Sequence, residues 1–289
     1  MFEQSKQEKD YMNAANETIR TISDNFPRVL AEQSSTGEMA DKFRAVYDDT
    51  FFARVTQDTV ESARIIVPLL LKLINPASVV DIGCGLGAWL KVCQEHRIKV
   101  FRGFDGDYID RSKLLVQPSC FTAVDLAEPI EIDQRFDLAI CLEVAEHLPE
   151  AVAPGLVRML TTVAPFVLFS AAIPGQRGPG HVNEQWPSYW KALFTENGFQ
   201  RLDPIRRHIW RNSHVQWWYR QNLFLYASRD AIIESEALRE EERLAELDVI
   251  YVEFLNRYKT LRGVLGELPR VLRETIQRRL FGERRSSSH

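Results

Sequence analysis

The chain has 289 residues, 45% of them hydrophobic and 26% charged, which suits one globular domain with a good core plus extra segments. Its net charge is −4 and its sequence pI about 5.9, so no global basic field draws it to nucleic acid. The cysteines Cys84, Cys93, Cys120 and Cys141 show no C-x-x-C spacing and read as reduced, buried small residues.

The chain opens on a polar stretch where a signal peptide would be apolar, and no run approaches a membrane span, so a cytoplasmic protein is expected. Residues 1–45 are weakly patterned and read as an N-terminal arm, partly helical or disordered. Residues 46–229 form the main domain. Its first helical pattern (Phe52, Val55, Val60, Ala63, Ile66, Leu70, Ile74) stops at Asn75-Pro76, after which strands and helices alternate. That alternation predicts a parallel sheet covered by helices. Strands are expected at Ser78–Ile82, Lys99–Phe104, Cys120–Val124, Phe136–Leu142, Phe166–Ala171, Gln200–Ile205 and Leu223–Ala227. In such sheets ligands sit over the carboxyl ends of the strands, so the residues just after each strand carry the function.

The first strand runs into Asp81-Ile-Gly83-Cys84-Gly85-Leu-Gly87-Ala-Trp89, a glycine loop that opens a helix. Missing Cβ atoms let a ligand approach the backbone, and the unpaired N–H groups of the helix start favour a nucleotide-like partner. Asp105, after the second strand, can accept both hydroxyls of a ribose, and Asp125-Leu126, after the third, can take an adenine amino group and cover the ring. Asp105 or Asp125 alone reads as a turn or helix-capping aspartate, but three acidic positions in one register after successive strands point to a ligand.

Residues from about 50 to 228 resemble a class I S-adenosylmethionine-dependent methyltransferase. The resemblance rests on Asp81 to Gly87 for the methionine-binding loop, Asp105 for the ribose, Asp125-Leu126 for the adenine, and Phe136 to Glu143, including Leu142, for the fourth strand and its exit. It implies an α/β, Rossmann-like, seven-stranded, mostly parallel sheet with helices on both faces and an antiparallel last strand, for which Gln221 to Ala227 fits. The cofactor it implies is S-adenosyl-L-methionine.

Directly after the fourth strand comes Glu143-Val-Ala-Glu146-His147. If a helix starts here, Glu143, Glu146 and His147 share one face. Two carboxylates and an imidazole suit Mg²⁺ or Mn²⁺. The loop after the fifth strand, rich in glycine and proline, then presents His181, Asn183, Glu184 and Trp186 before a helix at Pro187. E-x-x-E-H followed by this histidine is similar to metal-dependent O-methyltransferases of the small-RNA 2′-O and ubiquinone-biosynthesis types. That likeness implies Glu143, Glu146, His147 and His181 as a metal set that orients an acceptor hydroxyl. A metal-free reading makes His147 or His181 the base, with Glu143 beside it.

Residues 205–222 are rich in Arg, Trp and His, and Trp218 and Arg220 there suit a sugar ring that stacks and needs paired hydroxyls. Packing of an inserted hairpin is the alternative. The acceptor expected is therefore a hydroxyl on a glycan, glycolipid or glycosylated metabolite. A metal-independent small-molecule N- or O-methyltransferase and a non-catalytic scaffold are the other readings. Residues 230–289 read as a C-terminal helical extension: a short heptad stripe (Leu244, Leu247, Tyr251, Phe254, Tyr258, Leu261) and a basic amphipathic piece at 269–285. Packing on the domain, a homodimer seam and peripheral contact with an anionic membrane are the expectations for it.

Overall fold

Residues 138–142 read Leu-Ala-Ile-Cys-Leu, a run without a polar side chain and buried at every position. Such a run fits a strand covered on both faces. Leu138, Ile140 and Leu142 join one apolar cluster while Ala139 and Cys141 join the other, as the two-residue period of a strand requires.

The computed structural model describes residues 49–244. Its strands are β1 (Ser78–Ile82), β2 (Val100–Asp105), β3 (Phe121–Ala123), β4 (Leu138–Leu142), β5 (Phe166–Ser170), β6 (Phe199–Leu202) and β7 (Phe224–Ser228). They form one seven-stranded sheet in the order β3-β2-β1-β4-β5-β7-β6. β1 pairs in parallel with both β2 and β4, and β7 runs antiparallel to β5 and β6. This is the seven-stranded, mostly parallel sheet expected from the sequence, antiparallel last strand included. The sixth strand ends at Leu202, earlier than expected, because Asp203 turns out to bind Arg206.

The helices are α1 (Asp49–Leu71), α2 (Ala88–Glu95), α3 (Ala153–Val163), α4 (Pro187–Glu196), α5 (Arg206–Ile209), α6 (Trp217–Asn222), α7 (Arg229–Glu234) and α8 (Glu236–Arg243). Val60, Ala63, Ile66, Val67 and Leu70 give α1 a buried stripe at three- and four-residue spacing, and it packs with α2 on one face of the sheet. Helices α3 and α4 cover the other face through Leu156, Leu160, Trp190 and Phe194. Both faces are thus closed, and access is left at the strand ends.

The start of the C-terminal extension is helical but broken at Ser235. Ser235 is extended (φ −113°) and its hydroxyl accepts from the Leu238 N–H, which ends α7 and caps α8. Ile232 and Leu238 are buried against the α1 side of the sheet, so this part packs on the domain. The arm at 1–45, the heptad stripe beyond Leu244 and the basic piece at 269–285 lie outside the described residues, and with them the dimer and membrane expectations. Among the described residues no helix is long and apolar enough to cross a membrane.

Asp137 fastens the start of β1 to that of β4. Its Oδ2 accepts from the N–H groups of Ala77 (2.7 Å) and Ser78 (2.9 Å) and from the Ser78 hydroxyl (3.0 Å). Asp137→Ala leaves these donors to water and is expected to lower stability by about 2 kcal/mol in urea denaturation. An unchanged midpoint would contradict this.

Candidate active site

The strand order reverses between β2-β1 and β4-β5, so the exits of β1 and β4 open a crevice at the carboxyl edge of the sheet. From β1 the chain turns through Gly83, Gly85 and Gly87, all at positive φ, into α2. A Cβ on Gly83 would lie 2.2 Å from a methyl of Val144, whereas one on Gly85 would meet nothing within 4 Å. Only Gly85 therefore plays the expected part of opening space beside the backbone. Gly83 instead lets the exits of β1 and β4 touch. No side chain caps the start of α2. The Trp89 ring is buried edge-on against Tyr219 at 5.3 Å, so it belongs to the core and not to a cofactor wall. Cys84 is also buried, and burial pushes its thiol pKa up.

Asp81 is 2% exposed, its Oδ2 has no hydrogen-bond partner, and burial with Asp105 nearby raises its pKa well above the usual range. Asp105 is 4% exposed and better satisfied. Its Oδ2 accepts from the Gly85 N–H at 2.6 Å, and its Oδ1 from the Gly106 N–H at 2.7 Å and the Tyr108 hydroxyl at 2.6 Å. Burial still raises its pKa, with those donors opposing. Asp125 is exposed and closes its own turn by accepting from the Ala127 N–H at 2.9 Å. Leu126 is half-buried against the α3 side, and Leu142 is buried at the end of β4.

At the exit of β4 the expected helix does not form. Glu143 sits at φ +55°, Val144 at φ −121°, and only Ala145–His147 makes a single 3₁₀ turn. The reason is local tethering: the Glu143 N–H donates to the Ser170 carbonyl (3.0 Å) and hydroxyl (3.2 Å) at the end of β5. The Glu143 carboxylate is held too, by Asn222 Nδ2 at 3.2 Å and Gln176 Nε2 at 3.1 Å. Burial raises its pKa while Ser170, Asn222 and Gln176 pull it down. Asn222 is fixed in turn, because buried Arg206 grips Asp203 at 2.9 and 3.0 Å and donates to the Gln221 carbonyl at 2.6 Å. Gln176 was not singled out in the sequence. Its only signal was its place in the loop that follows β5.

Glu146 is fully buried with neither carboxylate oxygen hydrogen-bonded, and burial together with Glu143 pushes its pKa far up. Its carbonyl accepts from Val182 (2.8 Å) and Asn183 (3.0 Å), which straps the loop after β5 across the site. That strap brings the His181 ring to 4.8 Å from the His147 ring, nearly perpendicular to it. Burial and His181 lower the His147 pKa to about 4. His181 Nδ1 meets Glu184 at 2.9 Å, and Glu184 also accepts from the N–H groups of Gly175 and Arg177. Burial would raise Glu184, but these bonds win and hold it below the usual carboxylate value.

Glu146, His147 and His181 each offer a ligand atom, and these atoms all lie within 4.8 Å of one another. The expected fourth member, Glu143, is not in this group, because Gln176 and Asn222 hold its carboxylate. Of the expected acceptor residues, Trp186 is 47% exposed at the start of α4. Asn183 is buried and braces the strap through Ala145 and Gln185. Arg220 is buried, and Trp218 is half-buried and packs against the core beside Trp217 and Tyr219.

A family described as a methyltransferase domain matches residues 55–222, more than half of the chain, and the chain belongs to it. It is a methyltransferase-domain protein. No curated protein sequence matches the methyltransferase. Among solved structures it is similar to human N-acetylserotonin methyltransferase in complex with SAM (16% identity, TM-score 0.44, covering 64% of this chain and 58% of that one). It is also similar to a putative O-methyltransferase from Nostoc punctiforme (14%, TM-score 0.49, 75% and 68%). A third is magnesium protoporphyrin IX methyltransferase from Synechocystis with bound SAM (20%, TM-score 0.45, 69% and 100%). The methyltransferase thus spans less than two thirds of the human enzyme's length.

The two glycines differ in what substitution does to the methyltransferase. Gly83→Ala combines a left-handed backbone with a clash on Val144 and is expected to cost about 3 kcal/mol of stability. Gly85→Ala meets only the backbone cost of about 1 kcal/mol but fills the open space, so it folds and loses S-adenosylmethionine binding in calorimetry. Equal melting temperatures for the two variants would contradict this assignment.

Glu146 gives a pH prediction. Its folded pKa lies above the ordinary 4.5, so its contribution to stability is present below that value and is lost as pH rises through the folded pKa. Glu146→Gln should therefore melt higher than the parent protein at pH 8 in chelator, with the gap closing towards pH 4.5. A gap that widens on acidification would refute the assignment.

Proposed function

We propose that this methyltransferase methylates a hydroxyl of a sugar-bearing acceptor, with a divalent ion held by Glu146, His147 and His181. The observation that carries this reading is the fully buried, unpartnered Glu146 carboxylate facing two histidines within ligand distance of one another. A buried carboxylate without a partner is costly, and a cation beside it removes that cost. Two imidazoles and one carboxylate make a nitrogen-rich donor set, which suits Mn²⁺ better than Mg²⁺. Such an ion supplies Lewis acidity that lowers the pKa of a bound hydroxyl. Glu184, on His181 Nδ1, fixes the orientation of the imidazole.

The cofactor-side residues fit a charged adenosyl ligand. Gly85 leaves space that a Cβ would fill, and Asp81 is buried with an unsatisfied oxygen. S-adenosylmethionine supplies a methyl group already activated on a sulfonium, so the protein's work is alignment and proton handling. In this reading Asp105 accepts from the ribose, Asp125 and Leu126 border the adenine, and the Gly83–Gly87 loop takes the methionine end. The acceptor oxygen takes the methyl group, the thioether leaves, and the hydroxyl proton passes to a base. The sugar part of the reading rests on Trp186, the exposed ring beside the strap, whose face suits the C–H side of a pyranose.

The bond from Glu184 to His181 favours a second reading, in which no metal takes part and His181 is itself the base. Chelation separates the two. Protein stripped with EDTA should lose activity by about 100-fold and recover it with Mn²⁺, whereas Glu146→Gln should not recover. Full activity after EDTA would remove the metal and leave His181→Ala with a loss of about 100-fold or more. Trp186→Ala should raise KM for a glycoside acceptor by about tenfold while leaving cofactor binding intact. An unchanged KM would remove Trp186 from the acceptor site.

A further inference from the structure

Asp105 closes β2 with a carboxylate that already has protein donors on both oxygens: Gly85 on Oδ2, and Gly106 and Tyr108 on Oδ1. A carboxylate has about four acceptor positions, so the protein takes most of them and leaves one on Oδ2. The two N–H bonds come from the loops after β1 and β2 and fix where the group sits. The third is a choice made by one side chain, three residues along the chain. Tyr108 reaches Asp105 only because residue 106 is glycine: a Cβ there would stand 2.0 Å from the tyrosine ring. The ring fills the place of the missing side chain, half-buried against the α1 side of the core. A core tyrosine of ordinary kind would not put its hydroxyl 2.6 Å from a buried carboxylate that is otherwise raised in pKa by burial.

The geometry points to Tyr108 as a positioning residue for the cofactor: its hydroxyl occupies Oδ1 of Asp105, fixes the plane of the carboxylate and leaves Oδ2 as the one oxygen aimed at the ribose. This rests on Asp105 as the ribose-binding group, and the two ideas fail separately. A hydrogen bond to an ionised acceptor is stronger than one between neutral groups, so loss of the tyrosine hydroxyl frees the carboxylate to rotate and weakens its grip on ribose hydroxyls alone. Ligands without those hydroxyls should not notice.

The test uses the full chain and two probes, adenosine and 2′,3′-dideoxyadenosine, each measured by calorimetric competition against S-adenosylhomocysteine. The parent protein should prefer adenosine by about tenfold, the worth of a hydrogen bond to a charged group. Tyr108→Phe should cut that preference by about threefold or more and leave the affinity for the dideoxy compound unchanged. Asp105→Asn should abolish the preference. If Tyr108→Phe keeps the full preference while Asp105→Asn loses it, the role of Tyr108 is overturned and that of Asp105 stands. If Asp105→Asn keeps it, or the parent has none, the ribose role of Asp105 falls and the proposal with it. A variant that weakens both probes equally marks Tyr108 as structural only and overturns the proposal.

Discussion

Four carboxyl groups, those of Asp81, Asp105 and Glu146, buried, and of Glu143, half-buried, gather at the carboxyl ends of adjacent strands, and much of the surrounding structure answers the cost of placing them there. Like charges in a low-dielectric setting cannot all ionise. The protein treats the four unequally. Asp105 receives three donors, from the loops after β1 and β2, and the Glu143 carboxylate two, Gln176 Nε2 and Asn222 Nδ2. Asp81 and Glu146 are left with unsatisfied oxygens. A row of acids satisfied in part is a place suited to positive charge.

The same constraint explains the irregular backbone at the exit of β4. An α-helix starting at Glu143 would have carried its carboxylate round to the same side as Glu146 and His147. Tethering of the Glu143 N–H to Ser170 holds the residue in the left-handed region instead, a conformation that a non-glycine side chain adopts at a cost of about 1 kcal/mol or more. The separation of roles follows. Glu143 turns towards Gln176 and Asn222, and Glu146 towards the histidines.

Long-range bracing supports these few side chains. Arg206 ties the end of β6 to α6, which sets Asn222, and the Glu146 carbonyl holds the strap that carries His181. None of these braces touches an acceptor, yet each decides where a reacting group points, and placement errors of about an ångström are costly in transfer reactions. The aromatic segment at 210–219 belongs with the braces: the rings of Trp217, Trp218 and Tyr219 meet edge to face, Tyr219 meets Trp89 in the same way, and the Arg206 guanidinium lies over Trp210.

Strand positions, the parallel sheet and the acidic residues at the strand exits were legible in the amino-acid sequence, because alternation of apolar residues and the glycine loop are local signals. The loop from Ala171 to Trp186 was also visible as a site element, through its glycines, prolines and polar cluster. Helical spacing misled at Glu143, since a main-chain bond to Ser170, 27 residues away, overrode the local pattern. Composition could not show that Arg220 is buried while Trp218 is half-buried, since burial is a property of the assembled sheet and not of a segment. By itself the sequence determined the sheet, the glycine loop after β1 and which residue types gather at its edge. Only the tertiary structure decided that Gly83 packs while Gly85 opens, that Gln176 and Asn222 hold the Glu143 carboxylate, and that Tyr108 stands on Asp105, because each depends on atoms brought together by strand pairing or by a turn that spacing does not encode.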